Sequence, residues 1–299
     1  MSATPLMSSS GEFHADPASF YRHVLQALRQ ADVPFLLGGA FVFTCYTGIE
    51  RPTKDVDIFI RAGDYDRLRQ VLFQAGYETE LTFPHWLAKV RSGDLFLDVI
   101  FGSGNGLCEV DDDWFAHAWD AELLGMPVKT APVEETIWSK AFVMERERYD
   151  GADIAHLVQA RAEQIDWRRL LERFGEHWRV LLTHLLLFGY IYPAQRSRVP
   201  AWVLDSLLER ARAEHLAGPV EASEVCQGTL LSREQYLVDV QEHGFADPRL
   251  APIGTMSPHE VAKWTAAIPS RGDPPPRRVK RRAGAYPEKR SRTAARARS

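Results

Sequence analysis

The 299 residues, 45% hydrophobic and 25% charged, suffice for two modest folded units, and this composition excludes collagen, coiled coil and wholesale disorder. Three cysteines, Cys45, Cys108 and Cys226, lie far apart and form no CxxC pair, which argues against a disulfide framework or zinc ribbon and fits a reducing cytoplasm. The net charge of −4 is unevenly placed: from Ser270 onward eleven Lys or Arg face two acidic residues, leaving the rest, with 25 basic and 38 acidic residues, near −13.

The first residues, 1–15, lack the basic start and apolar core of a secretory signal and read as a disordered N-terminus. Asp16-Pro17 then has the form of a helix cap followed by a proline at the first helical position, and Phe20, Val24, Leu25 and Leu28 recur at helical spacing. Pro34 to Leu37 predicts a short strand, Gly38-Gly39 a turn, and Ala40 to Tyr46 a helix that starts straight from it. Alternation over Lys54 to Arg61 predicts a strand, and Asp64 to Ala75 an amphipathic helix.

Trp86 to Arg91 and Leu95 to Phe101, joined by Ser92-Gly93-Asp94, read as a β-hairpin. The Gly-rich stretch 102–106 follows as a loop, then a short acidic helix at Asp111 to Ala118 and a second hairpin through Gly125-Met126-Pro127. Beyond Pro132 the chain turns helical: Val133 to Glu147, Gly151 to Arg161, Trp167 to Phe174, His177 to Tyr190 and Ala201 to Glu214, with a capping box at Ser232 and Gln235 starting one more. The most apolar stretch, Val180 to Tyr192, is too short for a membrane span, so no membrane partner is expected. His177 and His184, without an HExxH pattern or a nearby acid at ligand spacing, read as core or boundary histidines rather than metal ligands. The order of elements predicts an α+β fold: a mixed sheet flanked by helices over 16–132, a mostly helical region over 133–267, and a disordered basic tail over 268–299. The tail fits two readings, a nucleic-acid contact or a solubilising segment.

Three acids and two glycines carry the chemistry. Asp55 and Asp57, two apart on one strand, leave the same face with Cα atoms roughly 6.5 Å apart. Asp98 is the only acid in the apolar run Leu95 to Ile100, and an acid in a buried strand needs a partner. If the two strands are neighbours, three carboxylates converge, and two unit charges at ~4 Å repel by about 4 kcal/mol even at an effective dielectric of 20. A divalent cation removes that repulsion; oxygen-only donors favour Mg²⁺ or Mn²⁺, and two such ions suit in-line displacement at phosphorus. A glycine pair between strand and helix offers bare N–H groups and a helix N-terminus to phosphate. The rival reading makes Asp55 and Asp57 the wet face of an edge strand, paired with Arg51, Lys54 or Arg61.

The segment Leu36 to Ile60, LLGGAFVFTCYTGIERPTKDVDIFI, with LFLDVI at Leu95 to Ile100, resembles the nucleotidyltransferase superfamily of the DNA polymerase β type, in particular its small bacterial antibiotic- and toxin-type members. The resemblance spans roughly residues 33–160. It implies a polymerase β-like catalytic fold, Asp55, Asp57 and Asp98 as metal ligands, Asp98 as the third ligand also helping to deprotonate the acceptor hydroxyl, and Gly38 and Gly39 as triphosphate contacts. Lys54 is assigned to the nucleotide as a weak phosphate contact. A second segment, Val133 to Leu157, resembles relatives in which a Lys precedes an Arg/Lys-x-Asp-x-x-Asp stretch, which implies a phosphate contact for Lys140 and bracing roles for Arg148, Asp150 and Asp153. The expected activity is transfer of a nucleoside monophosphate from a triphosphate to an acceptor hydroxyl of a small molecule, tRNA or protein. The alternative is a silent nucleotide- or partner-binding relative.

Overall fold

The structure, a computed structural model, describes residues 16–51, 53, 55–218 and 224–267. The expectations for 1–15, for Lys54 and for the tail over 268–299 therefore lie outside the described residues.

Helix α1 (Pro17–Gln30) starts as its sequence predicts: the Asp16 carboxylate accepts from the Ala18 and Ser19 N–H groups, and Phe20, Tyr21, Val24, Leu25 and Leu28 form its buried stripe. The strands β1 (Leu36–Leu37), β2 (Val56–Phe59), β3 (Glu78–Phe83), β4 (Leu87–Ser92), β5 (Leu95–Ile100), β6 (Trp119–Leu123) and β7 (Met126–Thr130) form one mixed sheet in the order β3-β4-β5-β2-β1-β7-β6. β2 and β5, at its heart, run parallel, while β4 and β5 form the expected antiparallel hairpin. Ile58, Leu97 and Val99 are fully buried, so one face of these strands is core and the alternate residues face the other way.

Helix α2 (Gly39–Thr47) springs from the glycine turn and ends on Gly48 in the left-handed conformation. Helix α3 (Tyr65–Gln74) and the short α4 (Asp112–Ala116) complete the sheet half. Then come α5 (Val133–Ala141), α6 (Gly151–Arg161), α7 (Trp167–Phe174), α8 (Trp178–Ile191) and α9 (Ala201–Ala217). No described helix is long and apolar enough to cross a membrane. His184 is buried, its Nε2 2.9 Å from the Ala141 carbonyl, and His177 packs edge-on to Phe142, so both are packing histidines.

Three local expectations are corrected. The helix predicted to run to Glu147 stops at Ala141, because Met144 donates its N–H to the Leu231 carbonyl and Glu145 accepts from Ser232 and Arg233: tertiary bonds outweigh helix propensity. Ser232 caps a turn rather than a helix, its hydroxyl accepting from Gln235, and α10 begins only at Leu237 (Leu237–Gln241). A complete capping box instead stands at Ser257 and Glu260, opening α11 (Pro258–Ala266). Trp264 of α11 packs against Phe83 and Trp86, and Gly104 lies against the same indole where a Cβ would not fit. With Asn105 donating to the Leu230 carbonyl, the Gly-rich loop is a docking surface for the chain's last helices.

Candidate functional site

The β2–β5 register aligns Asp57 with Asp98, and parallel partners project to the same face. Asp55, two residues before Asp57, joins them. The glycine turn sits against this row. The Gly38 N–H donates to the Asp57 carbonyl at 2.9 Å, and Gly39, at φ +57°, lies so close that a Cβ there would stand 1.7 Å from Asp57 Oδ2. A Cβ on Gly38 would meet the Phe59 ring at 2.2 Å. Both glycines are thus required by close approach, and Gly39 by its backbone conformation as well.

The three acids differ in their partners. Asp98 Oδ1 takes the Lys89 ammonium at 2.5 Å, with both side chains mostly buried. Asp55 Oδ1 accepts the Thr53 hydroxyl at 2.7 Å. Among the described residues no cation pairs with Asp55 or Asp57: Arg51 goes to Asp153, and Arg61 to Asp64 and Asp112. The wet-face pairing with Arg51 or Arg61 is therefore not what the fold builds. Burial pushes the Asp57 carboxyl up to about 7; the charges of Asp55 and Asp98 add to the rise, and Lys140 and Arg148 oppose it. Burial also raises Asp98, against the pull of Lys89.

Two contributors were missed in the sequence. Tyr21 of α1 lies in the field of all three acids: burial first, then the charges of Asp55, Asp98 and Asp57, raise its hydroxyl above the usual range. Nothing in the helical spacing of Tyr21 signals this. Lys89 was legible in principle, since the turn that pairs Ser92 with Leu95 fixes Lys89 opposite Asp98 by counting along the hairpin.

Behind the site, Lys140 Nζ bonds Asp150 at 3.1 Å and Asp153 at 2.8 Å, Arg148 binds Asp150 through two nitrogens, and Arg51 binds Asp153 while its guanidinium lies 4.1 Å over Phe43. The segment Lys140 to Asp153 and the loop after α2 thus meet in one charged network near Asp57.

A hard divalent cation fits the donor set: Asp55 and Asp57 offer only oxygen, and no described cation balances them. Among the described residues, however, no group of three or more His, Cys, Asp or Glu is drawn together as a metal site, in keeping with Asp98 being turned to Lys89.

A mixed sheet carrying Asp-x-Asp on one strand, a third acid on its parallel neighbour and a glycine turn against them defines the nucleotidyltransferase class of fold. The family described as uncharacterised nucleotidyltransferase matches residues 19–188, more than half of the chain, and the protein belongs to that family. No curated protein matches. Among solved structures, the antibiotic-resistance factor ANT(2'')-Ia is 18% identical, with 56% of this chain and 95% of that one covered and a TM-score of 0.39. The lincosamide antibiotic adenylyltransferase LnuA is 18% identical, covering 48% and 96%, with a TM-score of 0.34. An antigenic nucleotidyltransferase-like protein from Paracoccidioides brasiliensis is also 18% identical, covering 62% and 94%, with a TM-score of 0.41. Identity and superposition at this level leave the assignment resting on the family match.

Proposed function

We propose that the protein moves a nucleoside monophosphate from a triphosphate to an acceptor hydroxyl. The observation that carries this reading is the pair Asp55 and Asp57, without a described cation, standing against the Gly38-Gly39 turn. Asp55 and Asp57 would hold Mg²⁺ or Mn²⁺, which when bound neutralises triphosphate charge and draws electron density from the α-phosphorus. Of the two glycine N–H groups, that of Gly38 is bonded to the Asp57 carbonyl, so that of Gly39, at the start of α2, would receive a phosphate oxygen. Lys140 and Arg148, whose charges already bear on Asp57, would offset the negative charge that grows on the leaving phosphates. Asp98 would take the proton of the acceptor hydroxyl as its oxygen bonds to the α-phosphorus; the bond from that phosphorus to the bridging oxygen breaks, and pyrophosphate leaves. Whether Asp98 holds a second ion depends on Lys89. The acceptor is proposed only as a hydroxyl of a small molecule, tRNA or protein.

The test is incubation with α-labelled triphosphates, Mg²⁺ and fractionated RNA, protein and metabolites. Wild type should label one fraction, and Asp57→Asn should lower that labelling by about 10³-fold. Equal labelling by the two would contradict the site. The Lys89–Asp98 ion pair favours one rival, a binding protein without turnover. That reading predicts calorimetric binding of triphosphate with no pyrophosphate released.

A further inference from the structure

We propose that Lys89 supplies the counter-cation of Asp98 from within the protein, so that the site takes one divalent ion, on Asp55 and Asp57, where the sequence pattern leads one to expect two. This rests on the nucleotidyl-transfer reading and deepens it.

The sheet writes the charges in a row. By register Glu80 of β3 lies beside Lys89 of β4, Lys89 beside Asp98 of β5, and Asp98 beside Asp57 of β2. Partners across a sheet share a face, so all four belong to one side. Glu80 is taken by Arg91 at 2.9 Å, and the single ion pair that Lys89 forms among the described residues is the one with Asp98, at 2.5 Å. Lys89 and Asp98 are 19% and 15% exposed, and Nζ lies 4.2 Å over the Phe96 ring. The ammonium is therefore held from two sides, by a carboxylate oxygen and by an aromatic face.

A second divalent ion on Asp98 would have to share that oxygen with the ammonium or expel it. Sharing sets two like charges within a few ångströms in a half-dry site, and expulsion strips Lys89 of both partners while Glu80, the acid beside it in register, is already held by Arg91. Neither cost arises at Asp55 and Asp57. Oδ1 of Asp98 is thus committed to Lys89, which leaves Oδ2 as the oxygen that would take the acceptor's proton. The lysine does for Asp98 part of what the second ion does in a two-metal site: it offsets the charge of a third carboxylate standing beside the other two.

The experiment counts ions rather than turnover. Mn²⁺ is titrated into the full chain with a non-hydrolysable ATP analogue, and bound ions are counted from the loss of the free-Mn²⁺ resonance. Wild type and Lys89→Arg should each bind one ion per chain, and Lys89→Met should bind two, with the second lost again in Lys89→Met combined with Asp98→Asn. Two ions in wild type, or one ion in a Lys89→Met protein that folds like wild type, would overturn the proposal; the wild-type count stands even if that variant misfolds. Failure of the underlying reading looks different: Asp57→Asn would then bind as many ions, as tightly, as wild type.

Discussion

Two regions of this protein gather clusters of carboxylates, one buried and one half-buried, and they are finished differently. At the joint between α4, α5 and α7, Glu135 is fully buried and Glu134 nearly so, yet Arg169 binds both, Arg173 binds Glu135 at 2.9 Å and Asp111 at 2.6 Å, and the Asp166 N–H donates to Glu134 at 2.6 Å. On the sheet, Asp55 and Asp57 have no described cation, and only Asp98 has its own. A protein that can complete one acidic cluster with arginines has the means to complete another. The helical cluster is a structural joint, whereas on the sheet Asp55 and Asp57 stand against the glycine turn with no cation partner among the described residues.

The contrast breaks most sharply by removing a cation from the finished cluster. Arg169→Ala leaves Glu134 and Glu135 buried with too few partners, and it should lower stability by about 3–5 kcal/mol in denaturant titration. A loss near zero would mean that the joint is not what holds the two halves together. At the unfinished cluster the sensitivity should instead lie in function. Gly39→Ala drives a methyl group into Asp57 and imposes φ +57° on alanine, so nucleotidyl transfer should fall by about 10²-fold, the usual consequence of moving a reacting group by about 1 Å. Unchanged transfer rates would remove the turn from the site.

The same contrast explains how much was legible in the sequence. The Asp-x-Asp strand, the glycine turn and the β4–β5 hairpin each rest on short-range rules, alternation and turn chemistry, and they stand in the structure within a residue or two of where those rules put them. The edge strand β3 was missed because half of Glu78 to Phe83 is exposed and only Leu81 and Phe83 supply apolar alternation to read. The end of α5 was misplaced because its stop signal is supplied by Leu231, Ser232 and Arg233, some ninety positions away. The partner of Asp98 could have been counted from the hairpin register. That Arg51 would leave Asp55 and Asp57 for Asp153 could not, because α6 brings that acid in from a different part of the chain.

The smallest effect is also the most direct test. Asp57, half-buried and without a cation partner among the described residues, with a carboxyl near 7, binds a proton in the folded state at pH values where the unfolded chain, with an ordinary Asp near 3.9, has released it. Its contribution is therefore full below about pH 4 and disappears as pH rises through about 7. In thermal melts without metal, wild type should lose a few degrees relative to Asp57→Asn between pH 5 and pH 8, and Mg²⁺ with a non-hydrolysable triphosphate should restore them at pH 8 in wild type alone. The same pH slope in both proteins, or equal protection of both by the metal nucleotide, would contradict the claim that Asp57 awaits a cation.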